Sequence, residues 1–577
     1  MGSSGRPAGA RPRRSSRRAF LTRHFLALVL GVAGWAGSDH LRQVYSPTFD
    51  EPVHVRAARE LRYGPGVVSN FEHPLLMKAL AGLSLPSRPP SDPWEDVRDG
   101  RRAFPVVFGL FVALFSCWAM RRIGWAAGGA LGALLVLEPT LRGHASLVHT
   151  DVLLTALLGL TVVLLDCAGR ARKHPFRWIT AAGALYGLAL ASKHSALLML
   201  PLVAVVLALV AAWRRIHPPG RGVARRLAVP VAAFLACAGL TFLCVQLAGA
   251  AGTDRGAFVS VASATYAGVA DPHVVRALAE RLPVGISSYA IGALQIRITS
   301  RPGSRYHYFF GHASGTGWRL YFPVALALKL STAAVLATAL ALALVASAAF
   351  RRTTVRRRRL FRLLCGRVWI PLVVGGAYFA MASLSRLNIG VRHVLPAVPL
   401  LLFGVLAGIR VLLGSRPRFR AAVLIIVVAG AALEAGAHHE REISFGNILA
   451  GGPSGLRRVL SDSNTDWGQA QDRVYARLAR GDLGKAGILS IAFDMDRAAT
   501  RGLSPLPLGE EKLLEGLDSL FVSVYVIDVL RAMEDNRDTY PHFQDVRLKL
   551  VPWMRRIVAR ARTTEAVGDE YVLLRFR

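Results

Sequence analysis

The densest collection of acid–base groups in the chain lies between residues 45 and 86, YSPTFDEPVHVRAARELRYGPGVVSNFEHPLLMKALAGLSLP. Asp50 and Glu51 form a carboxylate pair with His54 one helical turn on, and Glu72, His73 and Lys78 make a second cluster. A carboxylate can take a proton from a hydroxyl nucleophile, an imidazole can hold or pass one, and a cationic side chain can neutralise a departing anion. Each residue also has a plainer use. Thr48 followed by Glu51 fits a capping box with Pro52 in the first turn, and Asn70 fits the cap of a helix from Pro74 through Leu85. In the first helix Val53, Ala57 and Leu61 would form the buried stripe. For either cluster alone capping is as good an account as chemistry. Both together in one loop between apolar runs favour chemistry, because charge beside a bilayer is costly unless solvated or used.

The elements that must position these groups are membrane spans. Of 577 residues, 53% are hydrophobic, too many for a soluble protein of this size. The formal charge of +35 would point to nucleic acid in a soluble chain, yet the arginines fall in short clusters between apolar runs. That is the pattern of cytoplasmic loops, so no nucleic-acid partner is expected and the bilayer is. Cys117, Cys167, Cys237, Cys244 and Cys365 lie in or beside apolar runs and read as small buried hydrophobes, without disulfide or zinc spacing.

Residues 1–20 read as a disordered basic cytoplasmic tail, followed by an uncleaved anchor. About eleven spans follow over residues 21–437, with long external loops at 41–101 and 249–318, and basic clusters at the inner turns. Within the second loop HVVRALAERLPVGI has the periodicity of a surface-lying helix. An odd count puts the C-terminus outside, where residues 438–577 turn soluble in composition and read as an α/β domain. There AGILSIAF, SLFVSVYV and DEYVLLRF read as strands, and the run through SDSNTDWGQ reads as a loop and a helix capped by Asp466. The predicted fold class is therefore mainly α and polytopic, with a C-terminal extramembrane α/β domain.

This topology gathers further polar groups on the outer side. EPTLRGHASLVHTD carries Glu138, Arg142, His144, His149 and Asp151; Lys193 and His194 follow the fifth span; SRLNIGVRHVLP carries Arg386, Asn388, Arg392 and His393. The inner loops are almost purely basic. His144 and His149 serve equally as hydrogen-bonded structural histidines, and Arg142 as an interface anchor.

TFDEPVHVRAA followed by FEHPLLMKALAGL resembles the first outer loop of bacterial membrane glycosyltransferases of the protein O-mannosyltransferase and aminoarabinose-transferase superfamily, within the GT-C group. Leu75 stands where that pattern has a second proline. EPTLRGHASLVHTD resembles the second-loop motif with Glu138 in place of an Asp, and GLALASKHSALLMLP a Gly-rich span ending in Thr-Lys with Ser192 in place of the Thr. SRLNIGVRHVLPAVPLL and LSDSNTDWGQ resemble stretches of the phospholipid carrier-dependent branch. The resemblance implies an inverting transferase using a polyprenyl-phosphate monosaccharide, with the first-loop Asp as base and a lipid, glycan or protein hydroxyl as acceptor. It implies the inner, plasma membrane of a bacterium, where the basic clusters and the odd span count put the N-terminus in the cytoplasm and the C-terminus in the periplasmic or extracellular space.

On these grounds the expected catalytic groups are Asp50, with Glu51 beside it. Arg392 is expected to bind the donor phosphate, since a guanidinium grips phosphate oxygens bidentately, with Lys193 and Arg142 as helpers. His54, Glu72, His73, Lys78, Asp151 and Asn388 are candidates for substrate or metal. A divalent metal ion is the alternative phosphate clamp, with Glu72 and His73 as its best ligands, although no tight spacing such as HxxxH is present. The SDSNTDWG loop either contacts the acceptor or caps the membrane core. Rival readings are an oligosaccharide ligase or polymerase of the O-antigen type, which relies on outer-loop arginines and histidines, and a non-enzymatic lipid-linked sugar transporter. The early Asp-Glu pair argues against the first, and the lack of charged spans or a clear internal repeat against the second.

Overall fold

The computed structural model describes residues 14–64, 69–171, 173–214, 222–350, 358, 360–361, 363–534, 536, 538 and 540–577. The basic tail up to residue 13 and most of the basic cluster after Phe350 lie outside them.

Every predicted span is a helix. Eight helices are long and apolar enough to cross a membrane, from Phe20–Val44 in the first to Pro417–Ala437 in the last. The remaining three spans, Trp125–Leu137, Pro175–Ser192 and Trp369–Leu384, are shorter or less apolar and pack among the others. The chain is a multi-pass membrane protein. With lipid outside, helices cohere by close packing rather than by water exclusion. The first helix and Ala103–Ile123 show how: a Cβ added at Gly31 would sit 2.7 Å from the Gly109 carbonyl oxygen, so the two backbones touch there. Asp166, near one end of Thr150–Ala168, is held by Trp118 Nε1 at 3.0 Å and Arg122 Nε at 2.8 Å. That acid ties helices together at the end opposite the polar loops.

At the loop-bearing end, helices Glu51–Tyr63 and Leu75–Ser84 pack on each other and on the bundle. The buried face of the former holds Glu51, His54, Val55, Ala57 and Ala58, whereas Val53 is exposed. The predicted stripe is thus rotated, which carries His54 inward. Asn70 is no cap: it adopts φ 54°, its amide meets His54 Nδ1 at 2.8 Å, and Pro74 precedes the second helix instead.

The second long loop forms three helices, Arg255–Thr265, Pro272–Arg281 and Val284–Thr299, then an antiparallel hairpin of β1 (His307–Phe309) and β2 (His312–Ser314). After Ala437 comes a mixed five-stranded sheet of β3 (Ala486–Leu489), β4 (Ser504–Pro505), β5 (Ser519–Ser523), β6 (Thr563–Val567) and β7 (Tyr571–Arg575), in the order β4-β3-β5-β7-β6. β3 runs parallel to β4 and β5, and β7 antiparallel to β5 and β6. Leu489, Leu520 and Val522 pack on one face against helices that include Val524–Met533 and Val551–Arg560; Ile488 and Phe521 pack on the other. The strand predicted for SLFVSVYV stops at Ser523, whose Oγ accepts the Tyr525 N–H and turns the chain into a helix.

Candidate active site

Asp50 and Glu51 are neighbours with opposite fates. Glu51 is fully buried and saturated: Arg101 donates to both its oxygens, at 2.7 and 2.5 Å, Val148 N–H at 2.8 Å, and Thr48 through its N–H at 2.9 Å and its hydroxyl at 3.0 Å. The reach back to Thr48 is the carboxylate half of the predicted capping box. A carboxylate has about four lone-pair sites, and Glu51 has none to spare for a substrate. The expectation that it shares in catalysis gives way to a structural role, tying the loop around residue 50 to the segments around Arg101 and Val148.

The Asp50 side chain, at the start of helix Glu51–Tyr63, is 29% exposed, and among the described residues its carboxylate accepts one hydrogen bond, from Arg392 Nη1 at 3.3 Å. Burial would lift its pKa, but the charge of Arg392, then of His54 and His149, outweighs this and holds the carboxyl below its usual range. It stands ionised, with one edge free.

Arg392 is placed by unusual backbone. Gly390 has φ 142°, and a Cβ there would lie 2.1 Å from Ser463 Oγ, so only glycine fits between the hairpin and the loop that clamps it. The next residues form a tight helix, Val391–Ala397. Arg392 Nη1 also points at His149 Nε2, 2.7 Å away, while its Nε is buried without a partner among the described residues. His149 Nδ1 in turn faces Asp151, and Asp151 pairs with Lys193. A single line of contacts, Lys193–Asp151–His149–Arg392–Asp50, joins the end of helix Pro175–Ser192, the start of Thr150–Ala168, the helix Val391–Ala397 and the loop before Glu51–Tyr63.

Sequence reading missed one wall of this site. Trp467, from the SDSNTDWG loop, lies under the guanidinium with Arg392 Cζ 4.1 Å from its ring centroid, and also edges His149 at 5.3 Å. Asn464 accepts the Val391 N–H at 2.9 Å and Ser463 donates to the Ile389 carbonyl at 2.6 Å, so this loop fastens the Arg392 hairpin. Lys329, fully buried, donates to the carbonyls of Asn464 and Ile443 at 2.8 and 2.6 Å and fixes the loop to the bundle. The loop's density in polar residues was the available signal; its partner was not.

Other predicted residues lie apart from this line. Arg142 pairs with buried Glu442 and is no phosphate ligand, because that partner, which also accepts from the Tyr45 hydroxyl, consumes its charge. Lys78 donates to the carbonyls of Ser69 and Asn70 at 2.6 and 2.8 Å. Asn388 accepts the Trp318 N–H.

The candidate metal ligands are regrouped. His73 joins His54 and His149, ring centroids 4.6 to 5.7 Å apart, whereas Glu72 turns away to Gln295 and to Arg305, 3.7 Å distant. Burial pushes His54 down to about 3 and His73 well below its usual value, so both offer neutral lone pairs. With His54 Nε2 buried and unpartnered among the described residues, this trio could hold a divalent transition metal. Against that, His149 Nε2 already serves Arg392, whose charge repels a cation at the same atom.

Asp466 is not the predicted cap: the helix starts at Gln471, and Asp466 instead accepts the Gly468 N–H at 3.0 Å and the Ser523 hydroxyl. Burial pushes its carboxyl up to about 7. The unfolded chain loses that proton near about pH 4 while the folded chain keeps it, so stability falls as pH rises between about 4 and 7 and levels off above. Asp466→Asn should remove this slope. Melting temperatures of the two proteins in detergent, compared from about pH 5 to 7.5, should converge or cross as the wild type declines; parallel curves would show that Asp466 is ionised in the fold.

No family model matches the chain, and no curated protein matches it. Solved structures similar to it include ArnT from Cupriavidus metallidurans bound to undecaprenyl phosphate, at 16% identity over 98% of both chains with a TM-score of 0.29. The oligosaccharyltransferase of Archaeoglobus fulgidus is another, at 13% identity over 90% of this chain and 72% of that one, TM-score 0.41, in its apo form. The same protein tethered to an acceptor peptide gives 12% identity over 91% and 72%, TM-score 0.43. Similarities of this depth leave function to be argued from the site itself.

Proposed function

We propose that the chain is a membrane glycosyltransferase of the GT-C kind that moves a monosaccharide from a polyprenyl-phosphate carrier to a hydroxyl acceptor, with inversion, on the outer face of the plasma membrane. In this reading residues 21–437 carry the reaction and residues 438–577 form an extramembrane domain. The observation that carries it is the pairing of a half-satisfied carboxylate, Asp50, with a guanidinium, Arg392, that keeps a buried N–H unpartnered among the described residues. The motif resemblance of both outer loops points the same way.

The chemistry follows from that pair. Asp50 takes the proton of the acceptor hydroxyl as its oxygen attacks the anomeric carbon. The bond from that carbon to the phosphate oxygen breaks, and the electron pair leaves with the polyprenyl phosphate. Arg392, backed by Lys193 through Asp151 and His149, stabilises the negative charge that develops. Drawing Arg392 toward a donor phosphate weakens its hold on Asp50, and burial then makes that carboxylate a stronger base. Donor binding thus prepares the base. A metal at the histidine trio would add a second phosphate clamp; no step above needs one.

The test is to incubate purified protein with a panel of polyprenyl-phosphate sugars and follow release of the lipid phosphate. Release with at least one donor is expected, and Arg392→Ala should weaken affinity for that donor by about 10- to 100-fold, the worth of hydrogen bonds to a charged group. Release with no donor in the panel would overturn the reading, and unchanged donor affinity in Arg392→Ala would remove Arg392 from the phosphate.

A further inference from the structure

A separate group of donor atoms stands clear of the Asp50–Arg392 line, where the end of the first helix meets the chain just after Ala437. His40, one turn before the end of Phe20–Val44, places Nε2 3.0 Å from Oε1 of Glu440. His439 Nε2 lies 4.0 Å from the same oxygen, and the two imidazoles stack with centroids 5.0 Å apart and planes 13° from parallel. The three donor atoms fall within 4.8 Å of one another. None of these residues belongs to the trio of His54, His73 and His149.

The spacing is close to what a metal ion needs. Ligands of tetrahedral zinc, at about 2.0–2.1 Å from the ion, stand about 3.3 Å from each other. The Glu440 carboxylate is already in that range of His40, and His439 has to close by less than its 4.0 Å contact would suggest, about 0.7 Å. The near-parallel rings must also tilt for their lone pairs to converge. All three side chains are about half exposed, so that rotation meets little packing.

The surroundings are those of a ligand set. Glu440 holds the left-handed conformation, φ 63°, which is uncommon for a residue with a side chain and persists where something offsets it. Arg142, Arg441 and Arg473 stand about this turn, but each is matched to another carboxylate, Glu442, Asp569 and Glu570. Glu440 is thus left without an arginine or lysine partner among the described residues. His439 Nδ1 faces the buried Glu442, 3.8 Å from Oε1. A carboxylate there favours the proton on Nδ1 and leaves a lone pair on Nε2, the usual arrangement behind a metal-bound histidine.

We infer that His40, His439 and Glu440 bind one divalent transition-metal ion of the zinc class, with water in the fourth position. Two imidazoles and one carboxylate suit zinc, nickel or copper, whereas magnesium and calcium take oxygen donors. Leu41, next to His40, and Ile443, three residues beyond Glu440, pack with Tyr45, Leu147 and Trp467 in one buried cluster. An ion joining the two segments beside that cluster braces the seat of Trp467, and through it the support of Arg392. Binding of the ion does not depend on the transferase reading.

The test uses full-length, tag-free protein in detergent, stripped with a chelator and titrated with zinc in a calorimeter. Wild type should take up one equivalent that His40→Gln, His439→Gln and Glu440→Gly each lose, with affinity falling at least about 100-fold, more than the partners behind a ligand are worth. Glycine suits the left-handed turn, so Glu440→Gly keeps the fold while removing the carboxylate. His73→Gln should retain the equivalent, which separates this site from the trio. Zinc should raise the melting temperature of wild type more than that of Glu440→Gly, because an ion bound only by the fold stabilises it. No zinc uptake by wild type, equal uptake or equal melting shifts in wild type and Glu440→Gly, or uptake lost only in His73→Gln, overturns the inference. So does displacement of the zinc by excess magnesium, which would show a site of oxygen donors alone. The titration needs no donor lipid, so its failure leaves the transferase reading standing.

Discussion

Asp50→Asn should lower the rate of sugar transfer by about 10²- to 10⁴-fold, the usual contribution of a positioned general base. Asparagine keeps the shape of the side chain and an oxygen that can still accept from Arg392, so its 3.3 Å contact is not lost on steric grounds. What is lost is the capacity to take a proton. The effect should therefore fall on the rate of lipid-phosphate release and spare the affinity for donor, which could even tighten as Arg392 is freed from its counter-charge. Monodispersity and melting temperature should match wild type, because the Asp50 side chain is part-exposed and makes one hydrogen bond among the described residues. A purified, folded Asp50→Asn protein that turns over within a few-fold of wild type would remove Asp50 from the role of base.

Arg101→Met should have the largest effect on stability, a loss of about 3–5 kcal/mol, the usual consequence of leaving one partner of a buried ion pair uncompensated. Arg101 is fully buried and holds both oxygens of Glu51 while also donating to the carbonyls of Arg42, Tyr45 and Ser46 at 3.0, 2.7 and 2.9 Å. Methionine fills the volume but strands a carboxylate that burial alone would drive toward protonation and that Arg101, chiefly, keeps ionised. Denaturant unfolding in detergent followed by circular dichroism would read the loss. Adding Glu51→Leu to Arg101→Met should recover part of it by removing the stranded charge, although the three carbonyls stay unpaired. A single variant within about 1 kcal/mol of wild type would show that water reaches Glu51.

The pair Asp50 and Glu51 also marks the boundary of what sequence reveals. The spans are legible because long apolar runs in lipid have few alternatives to a helix. The chemical types at the site are legible too, since carboxylates, imidazoles and cations stand out against 53% hydrophobic residues. Which of two adjacent carboxylates is free cannot be read locally: that is decided by Arg101, 50 residues on from Glu51, and by the N–H of Val148. Arg142 misleads for the same reason, its partner Glu442 lying 300 residues away. Trp467 and Lys329 carry no periodicity or spacing that ties them to residue 50, because their contacts are tertiary. The C-terminal strands were legible where β-branched and aromatic residues cluster, and misjudged at Ser523, where a hydroxyl able to cap a helix stops a run that composition alone would extend.

The seating of Trp467 beneath Arg392 would make the part after Ala437 a component of the proposed catalytic wall rather than an appendage. A chain cut after Ala437 would keep all eleven predicted spans, the carboxylate of Asp50 and the guanidinium itself, yet lose the aromatic plate and the Asn464 and Ser463 fastenings that aim it. Such a fragment would leave Arg392 its contacts with Asp50 and His149 but neither the aromatic support nor the fastening of its hairpin, so the smallest competent unit of the proposed transferase is larger than residues 21–437.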